Sequence, residues 1–251
     1  RARVDTDIFI DPGKIRQVRA VLEDLDYRLL GWTYKSHQFS ATREKYDGRV
    51  IRYDVHWRAN NGARFARVID FSAAMRDSVP VPGLPGSRTL DPARALLLAC
   101  IHRASTVLQN HDRLNWVYDA HLLLTAMTAD KQAEFARLAV QINLQEICLE
   151  TVKQSRQCFE TKVPEDLLNS LEVPTPPKSL NSRFAASHTA LLLDDFKLLP
   201  DRQSKLEFLR EFFFPPADYL LNRYKKKSRL WLFPLYLRYL FGGLYERLAL
   251  H

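Results

Sequence analysis

The dipeptide Asp47-Gly48 constrains the fold of this sequence most, because it separates two runs of residues that favour β-strands. Asp-Gly pairs are typical of the two-residue turns that join antiparallel strands. The run before it is HQFSATRE (37–44), and the run after it is RVIRYDVHW (49–57). The sequence therefore predicts a β-hairpin, and with it a sheet that is at least partly antiparallel.

A strand, a helix and another strand are predicted before this hairpin. The apolar run Ile8, Phe9 and Ile10 favours a strand. Asp11-Pro12 is typical of a helix start, and it is followed by apolar residues at helical spacing until about Asp26. With YRLLGWT (27–33) as a further strand, the first 57 residues follow the order strand–helix–strand–strand–strand.

The rest of the chain has mostly helical patterns. A segment rich in Pro and Gly, VPVPGLPGSRTL (79–90), is interpreted as a linker or surface loop. Helices are predicted after it at 92–108, 112–127, 130–143 and 144–159. We therefore expect an α+β protein with a small α/β unit at 1–78 and a helical domain at 91–251.

Composition narrows the class of partner and the compartment. The formal net charge of +8 favours anionic partners such as nucleotides, nucleic acid or an anionic membrane surface. Three cysteines without CxxC spacing favour a reducing compartment, the cytoplasm, over a disulfide framework or zinc site. No signal peptide, no apolar run long enough for a membrane span and no nucleic-acid-binding module is recognised.

Two carboxylates stand at the beginning of the first predicted strand. Side chains alternate along a strand, so Asp5 and Asp7 project to the same side. Mg²⁺ and Mn²⁺ prefer oxygen ligands and are usually held by one or two carboxylates together with substrate phosphates. The pair is therefore a candidate cation site, and the alternative is a solvated strand end.

A third carboxylate occurs in the second strand of the hairpin. If Tyr53, Val55 and Trp57 face the core, then Asp54 and His56 share the opposite face. Carboxylates from two strands would let two cations share ligands and bind both reacting oxygens of a phosphoryl transfer. The alternative for Asp54 is a structural pairing with a base such as Arg52. For His56 two roles are open: contact with phosphate or acceptor, or a hydrogen bond to Asp54.

These motifs, in this order, resemble a family of uncharacterised bacterial nucleotidyltransferases, the type-5 family of the DNA polymerase β-like superfamily. RARVDTDIFI is similar to its R-x-x-x-D-x-D element, and RYDVHW is similar to its D-x-H-W strand. DPARALLLACIHRAS and RLNWVYDAHLLL resemble two of its helices. The C-terminal segments LEFLREFFFPPADY and LWLFPLYLRYL also resemble that family, so the similarity extends over nearly the whole chain.

The resemblance implies a metal-dependent transfer of NMP from a nucleoside triphosphate, such as ATP, to an acceptor hydroxyl. Asp5, Asp7 and Asp54 would be the catalytic residues and would hold Mg²⁺ or Mn²⁺. A second set would contact nucleotide or acceptor: Arg1, His56, His102 and Asp119. The base and the acceptor stay open. The superfamily also has a Gly-Ser or Lys-Gly element before the paired acids, and two possibilities stay open: it lies upstream of Arg1, or it is absent.

Interpretations without a role in binding also remain open for Arg1, His102 and Asp119. His102 lies in an apolar helix, where a hydrogen-bonded core histidine is the commoner outcome. Asp119 is a candidate structural partner of His102 or Arg113, and Arg1 is a candidate solvated side chain. Two alternatives to the nucleotidyltransferase are a non-catalytic nucleotide-binding or scaffold protein and, less favoured, a DxD glycosyltransferase. The usual sheet of such a glycosyltransferase is larger and parallel, whereas the hairpin at Asp47-Gly48 predicts antiparallel pairing.

The C-terminal segment has two interpretations. We expect Leu230 to Leu248 to dock on the helical domain by covering apolar faces of the preceding helices, with Lys225 to Lys227 left in water. The residues expected to be covered are Trp231, Phe233, Leu235, Leu237 and Leu240. The alternative is weak contact with an anionic membrane surface, because Lys and Arg stand next to Trp, Phe and Leu.

Overall fold

The computed structural model describes residues 6–30, 37–61, 63–107, 112–174, 202–215, 217–226 and 228–248, with a few isolated positions between 193 and 199. The chain divides into two compact units. One comprises residues 1–66 and 188–251, and the other comprises residues 67–187. The predicted domains 1–78 and 91–251 stay a prediction.

A four-stranded mixed sheet forms the N-terminal part of the first unit. Its strands are β1 (Thr6–Phe9), β2 (Arg28–Leu30), β3 (Gln38–Glu44) and β4 (Val50–His56), in the spatial order β1-β4-β3-β2. β1 is parallel to β4, while β3 is antiparallel to both β4 and β2. The predicted α+β class is confirmed, and so is the antiparallel hairpin at Asp47-Gly48. Gly48 has a φ of 75°, which favours glycine.

One face of this sheet is apolar and is covered by helix α1 (Ile15–Asp24). Alternate residues of neighbouring strands point to this face, and with α1 they form a core of Ile10, Leu22, Phe39, Ala41, Val55 and Trp57. Asp11 begins the intervening 3₁₀ turn (Pro12–Lys14) by accepting a hydrogen bond from the Gly13 amide at 2.7 Å. Because side chains alternate along each strand, the residues between these core positions lie on the other face, which includes most of the polar ones.

The second unit is mainly helical. Two short helices, α2 (Ala63–Ala66) and α3 (Phe71–Arg76), lie at and after the boundary and were not predicted. They are followed by α4 (Pro92–Val107), α5 (Leu114–Ala126), α6 (Ala129–Gln141), α7 (Gln145–Phe159) and α8 (Glu165–Leu171). Helices α4 to α7 match the predicted ones to within two residues. Their buried side chains include Leu96, Ile101, Leu124, Phe135, Ile147 and Val152.

The segment interpreted as a linker has secondary structure of its own. Strands β5 (Val79–Pro80) and β6 (Arg88–Thr89) pair antiparallel, and Gly83 and Gly86 have positive φ in the turn between them. Arg88 donates a hydrogen bond from Nε to the Ser78 hydroxyl at 2.6 Å. The prolines occupy the ends and the loop of this ribbon, where they do not interrupt a wider sheet.

Three further helices are described near the C-terminus: α9 (Arg202–Phe213), α10 (Ala217–Arg223) and α11 (Leu232–Leu248). Leu235 of α11 packs against Leu220 and Leu221 of α10. The expected burial of Trp231, Phe233 and Leu237 is wrong, because they are 48%, 74% and 41% exposed. The cluster that α10 forms with α11 includes Leu235 but none of these three side chains. None of the helices in the described ranges is both long and apolar enough to cross a membrane.

Candidate active site

The parallel pairing of β1 with β4 places two of the predicted acidic residues side by side. Asp7 is the register partner of Asp54. Neighbouring strands are about 4.8 Å apart, and side chains in register point to the same face. Since Ile8 and Val55 point into the core, Asp7 and Asp54 lie together on the polar face of the sheet.

Asp54 is held by a residue of the neighbouring strand. Ser40 is its register partner on β3, and the Ser40 hydroxyl donates a hydrogen bond to Asp54 Oδ1 at 2.5 Å. Both side chains are half-buried, so the bond lies partly away from water. This contact fixes the direction of the Asp54 carboxylate, because the hydroxyl itself is anchored on a strand between two others.

Asp7 is paired with the histidine of β4. His56 Nε2 lies 3.0 Å from Asp7 Oδ1. The histidine side chain is 17% exposed and the aspartate side chain is 63% exposed. The carboxylate therefore faces solvent, while the histidine that contacts it is largely buried. The sequence left open whether His56 would hydrogen-bond Asp54. The structure gives His56 a bond to Asp7 and gives Asp54 a bond from Ser40.

An amide network borders this acidic pair. Gln38 is the register partner of His56, and its side-chain oxygen accepts a hydrogen bond from Asn61 Nδ2 at 2.9 Å. Asn61 Oδ1 in turn accepts the backbone amide of His37 at 2.9 Å. These contacts tie the segment after β4 to the start of β3, next to His56.

Sequence reasoning missed Ser40, Gln38 and Asn61. The signal for the first two lies in the alternation of QFSAT, where the buried Phe39 and Ala41 alternate with the polar Gln38, Ser40 and Thr42. Pairing that alternation with the one around Asp54 would have placed Ser40 on the same face as the acid. Asn61 carries no such signal, because it lies beyond the end of β4.

The remaining predicted site residues fall into two groups. Arg1 and Asp5 lie outside the described residues. His102 on α4 and Asp119 on α5 are both half-buried and belong to the second unit, whereas Asp7 belongs to the first. The His102 ring meets Trp116 edge-on, with the ring centroids 5.5 Å apart.

The chemistry of the acidic pair suits a hard divalent cation. Asp7 and Asp54 offer carboxylate oxygens from adjacent strands, which is the donor type that Mg²⁺ and Mn²⁺ prefer. In the part of the chain that the structure describes, no group of three or more His, Cys, Asp or Glu could hold a metal ion. Asp5, the third predicted acid, is not in that part.

Comparison with known proteins assigns residues 1–160, most of the chain, to a protein family. The model of a family described as uncharacterised nucleotidyltransferase matches residues 1–160. This range includes β1 to β4 and helices α4 to α7. No curated protein and no solved structure was found to match the chain.

Proposed function

Because the chain belongs to the uncharacterised nucleotidyltransferase family, we propose that it transfers NMP from a nucleoside triphosphate to an acceptor hydroxyl and releases pyrophosphate. The observation that carries the proposal is the adjacency of Asp7 and Asp54 on the polar face of a mixed sheet. Two carboxylates a strand spacing apart would repel each other without a cation. A cation held by these carboxylates would bind the reacting oxygens of a phosphoryl transfer, which is the type of reaction that we propose.

The residues have distinct roles in this proposal. Asp7 and Asp54, with Asp5, would hold Mg²⁺ or Mn²⁺. When bound, such cations lower the pKa of an acceptor hydroxyl and neutralise charge on the triphosphate. His56 would hold Asp7 in one rotamer, and Ser40 would do the same for Asp54, so that the carboxylates are oriented before substrate binds.

The groups that would contact nucleotide or acceptor extend the proposal. Arg1 would bind phosphate as a charged fork. His102 and Asp119 would contact nucleotide or acceptor. We place the reaction in the cytoplasm, because Cys100, Cys148 and Cys158 are all unpaired.

A direct experiment separates the enzyme from the alternative, a non-catalytic nucleotide-binding or scaffold protein. The chain is incubated with each α-labelled nucleoside triphosphate, Mg²⁺ and a cell extract as the source of acceptors. We expect pyrophosphate release together with label on an extract component. Asp54→Asn is the control for enzymes contributed by the extract. Metal-dependent nucleotide binding without any release above that control would favour the alternative and contradict the transferase.

Ser40→Ala provides a test of the proposed orientation of Asp54. We expect about a tenfold weaker Mn²⁺ affinity, because outer partners of a metal ligand typically contribute this much. Calorimetric titration with Mn²⁺ and nucleotide measures it. Ser40→Thr keeps the hydroxyl and is the matched variant, which should bind Mn²⁺ nearly as tightly as the unmodified protein. Equal affinities of the alanine and threonine variants would assign Ser40 a purely structural role.

A further inference from the structure

We propose that the C-terminal helix α11 and the turn before it form a surface that binds anionic lipid bilayers without crossing them. The surface, which we term the apolar stripe, consists of Leu230 in the 3₁₀ turn (Arg229–Trp231) and of Phe233, Leu237 and Phe241 in α11. The proposal does not rest on the transferase reaction, since it uses residues outside the candidate active site.

The apolar stripe is continuous along one side of the helix. Leu230, Phe233 and Phe241 are 90%, 74% and 72% exposed. Positions 230, 233, 237 and 241 follow one another at intervals of three and four residues, so these side chains line up on one face. Leu235 points the other way and is buried against α10. The exposed stripe is therefore not the face by which α11 packs on α10.

Cationic side chains border the stripe. Lys226 Nζ lies 4.5 Å from the centroid of the Trp231 ring, and the Lys225 and Arg229 side chains next to it are exposed. On α11, the exposed Arg238 directly follows Leu237 of the stripe. Residues 219–245 include no Asp or Glu and six basic residues: Arg223, Lys225, Lys226, Lys227, Arg229 and Arg238.

This combination favours a bilayer surface over other occupants. Helices that lie in the interface of a membrane combine Trp, Phe and Leu with Lys and Arg, and the basic groups are attracted to anionic headgroups. Trp also prefers the level of the headgroups. A symmetric contact with a second copy of the chain would bring the same cations face to face without a single acidic partner from this segment.

Vesicle co-sedimentation of the full chain tests the proposal. We expect binding to phosphatidylcholine vesicles that contain phosphatidylglycerol and little binding to vesicles of phosphatidylcholine alone. Raising NaCl from about 0.1 M to about 0.5 M should weaken the binding severalfold, because salt screens the exposed charges. No binding to the anionic vesicles, or equal binding to both kinds, overturns the proposal.

Variants identify the residues responsible. Phe233→Ser/Phe241→Ser should bind anionic vesicles at least about tenfold more weakly, since two large apolar groups no longer insert. Leu84→Ser/Leu122→Ser changes two exposed apolar residues of the other unit and is the matched control. Lys225→Glu/Lys226→Glu should lose the preference for anionic vesicles, while Lys14→Glu/Lys45→Glu should retain it. Unchanged binding by the stripe or charge variant contradicts the assignment.

A lipid-free measurement distinguishes a bilayer from a second copy. Sedimentation velocity should give the same species for the unmodified protein and for Phe233→Ser/Phe241→Ser. A dimer that is present in the unmodified protein and absent in this variant would identify a second copy as the occupant and overturn the proposal. If the double serine variant does not fold, as judged by circular dichroism, the lipid preference and the charge variants still decide the outcome.

Discussion

Asp7→Asn and Asp54→Asn should each weaken Mn²⁺-dependent binding of a nucleoside triphosphate analogue about a hundredfold or more. Outer partners of metal ligands contribute ten- to a hundredfold, so a ligand itself should contribute at least the upper value. Each substitution removes one negative charge and one ligand oxygen while keeping the size of the side chain. Calorimetry in the presence and absence of Mn²⁺ measures the loss.

The two variants should also fold normally, and this separates a lost site from a lost structure. Asp7 and Asp54 are adjacent carboxylates, so neutralising one of them removes repulsion from the metal-free protein. Asp24→Asn is the matched control, because Asp24 is exposed on α1, the helix that covers the opposite face of the sheet. Full Mn²⁺-dependent binding by either site variant would contradict the assignment of the pair as cation ligands.

Asp91→Ala should lower the free energy of unfolding of the helical unit by about 3 kcal/mol. Asp91 is 1% exposed, accepts the Ala93 amide at 3.1 Å and pairs with the Arg94 guanidinium at 2.8 Å. Burial alone would lower the pKa of Arg94, but the hydrogen bond that its guanidinium donates to Asp91 and the neighbouring carboxylates outweigh it and raise that pKa. Removing Asp91 thus deprives a helix start of its cap and a largely buried guanidinium of one of its two close anions, the other being Asp77 at 2.7 Å.

The matched control for this stability prediction is Asp70→Ala. Asp70 also begins a helix in the same unit, where it accepts the Ala73 amide at 3.0 Å, but it is exposed. Its loss should cost about 1 kcal/mol, the ordinary contribution of a helix cap. Urea unfolding followed by circular dichroism compares the two. Equal losses would mean that the ion pair with Arg94 contributes nothing beyond the cap.

The elements that could be predicted are those whose signal is local. Asp47-Gly48 indicated the hairpin because Gly48 provides the positive φ that its turn needs, and the helices of the second unit have apolar stripes, with an Asp-Pro start at α4. The shared face of Asp54 and His56 followed from alternation along a single strand. For Asp54 and His56, the geometry agrees with the sequence because both residues belong to one element.

Features that depend on two distant segments could not be predicted in the same way. The partnership of Asp7 with His56 requires β1 to lie beside β4 in one register, and no local pattern specifies that pairing. The exposure of Phe233 depends on how much of α11 a neighbouring helix covers. Apolar residues indicate only that burial is favourable, and the position of α10 decides which side of α11 is buried.

The parallel pairing of β1 and β4 also links the geometry of the site to correct folding of the sheet. The β3–β4 hairpin joins residues close in the chain, whereas β1 reaches its partner only after long-range closure. A slip of β1 by one residue would turn Asp7 toward the apolar core and Ile8 toward water. The pairing that buries Ile8 is therefore the same one that aligns the carboxylates, and selection for a well-packed sheet protects the alignment of the acidic pair.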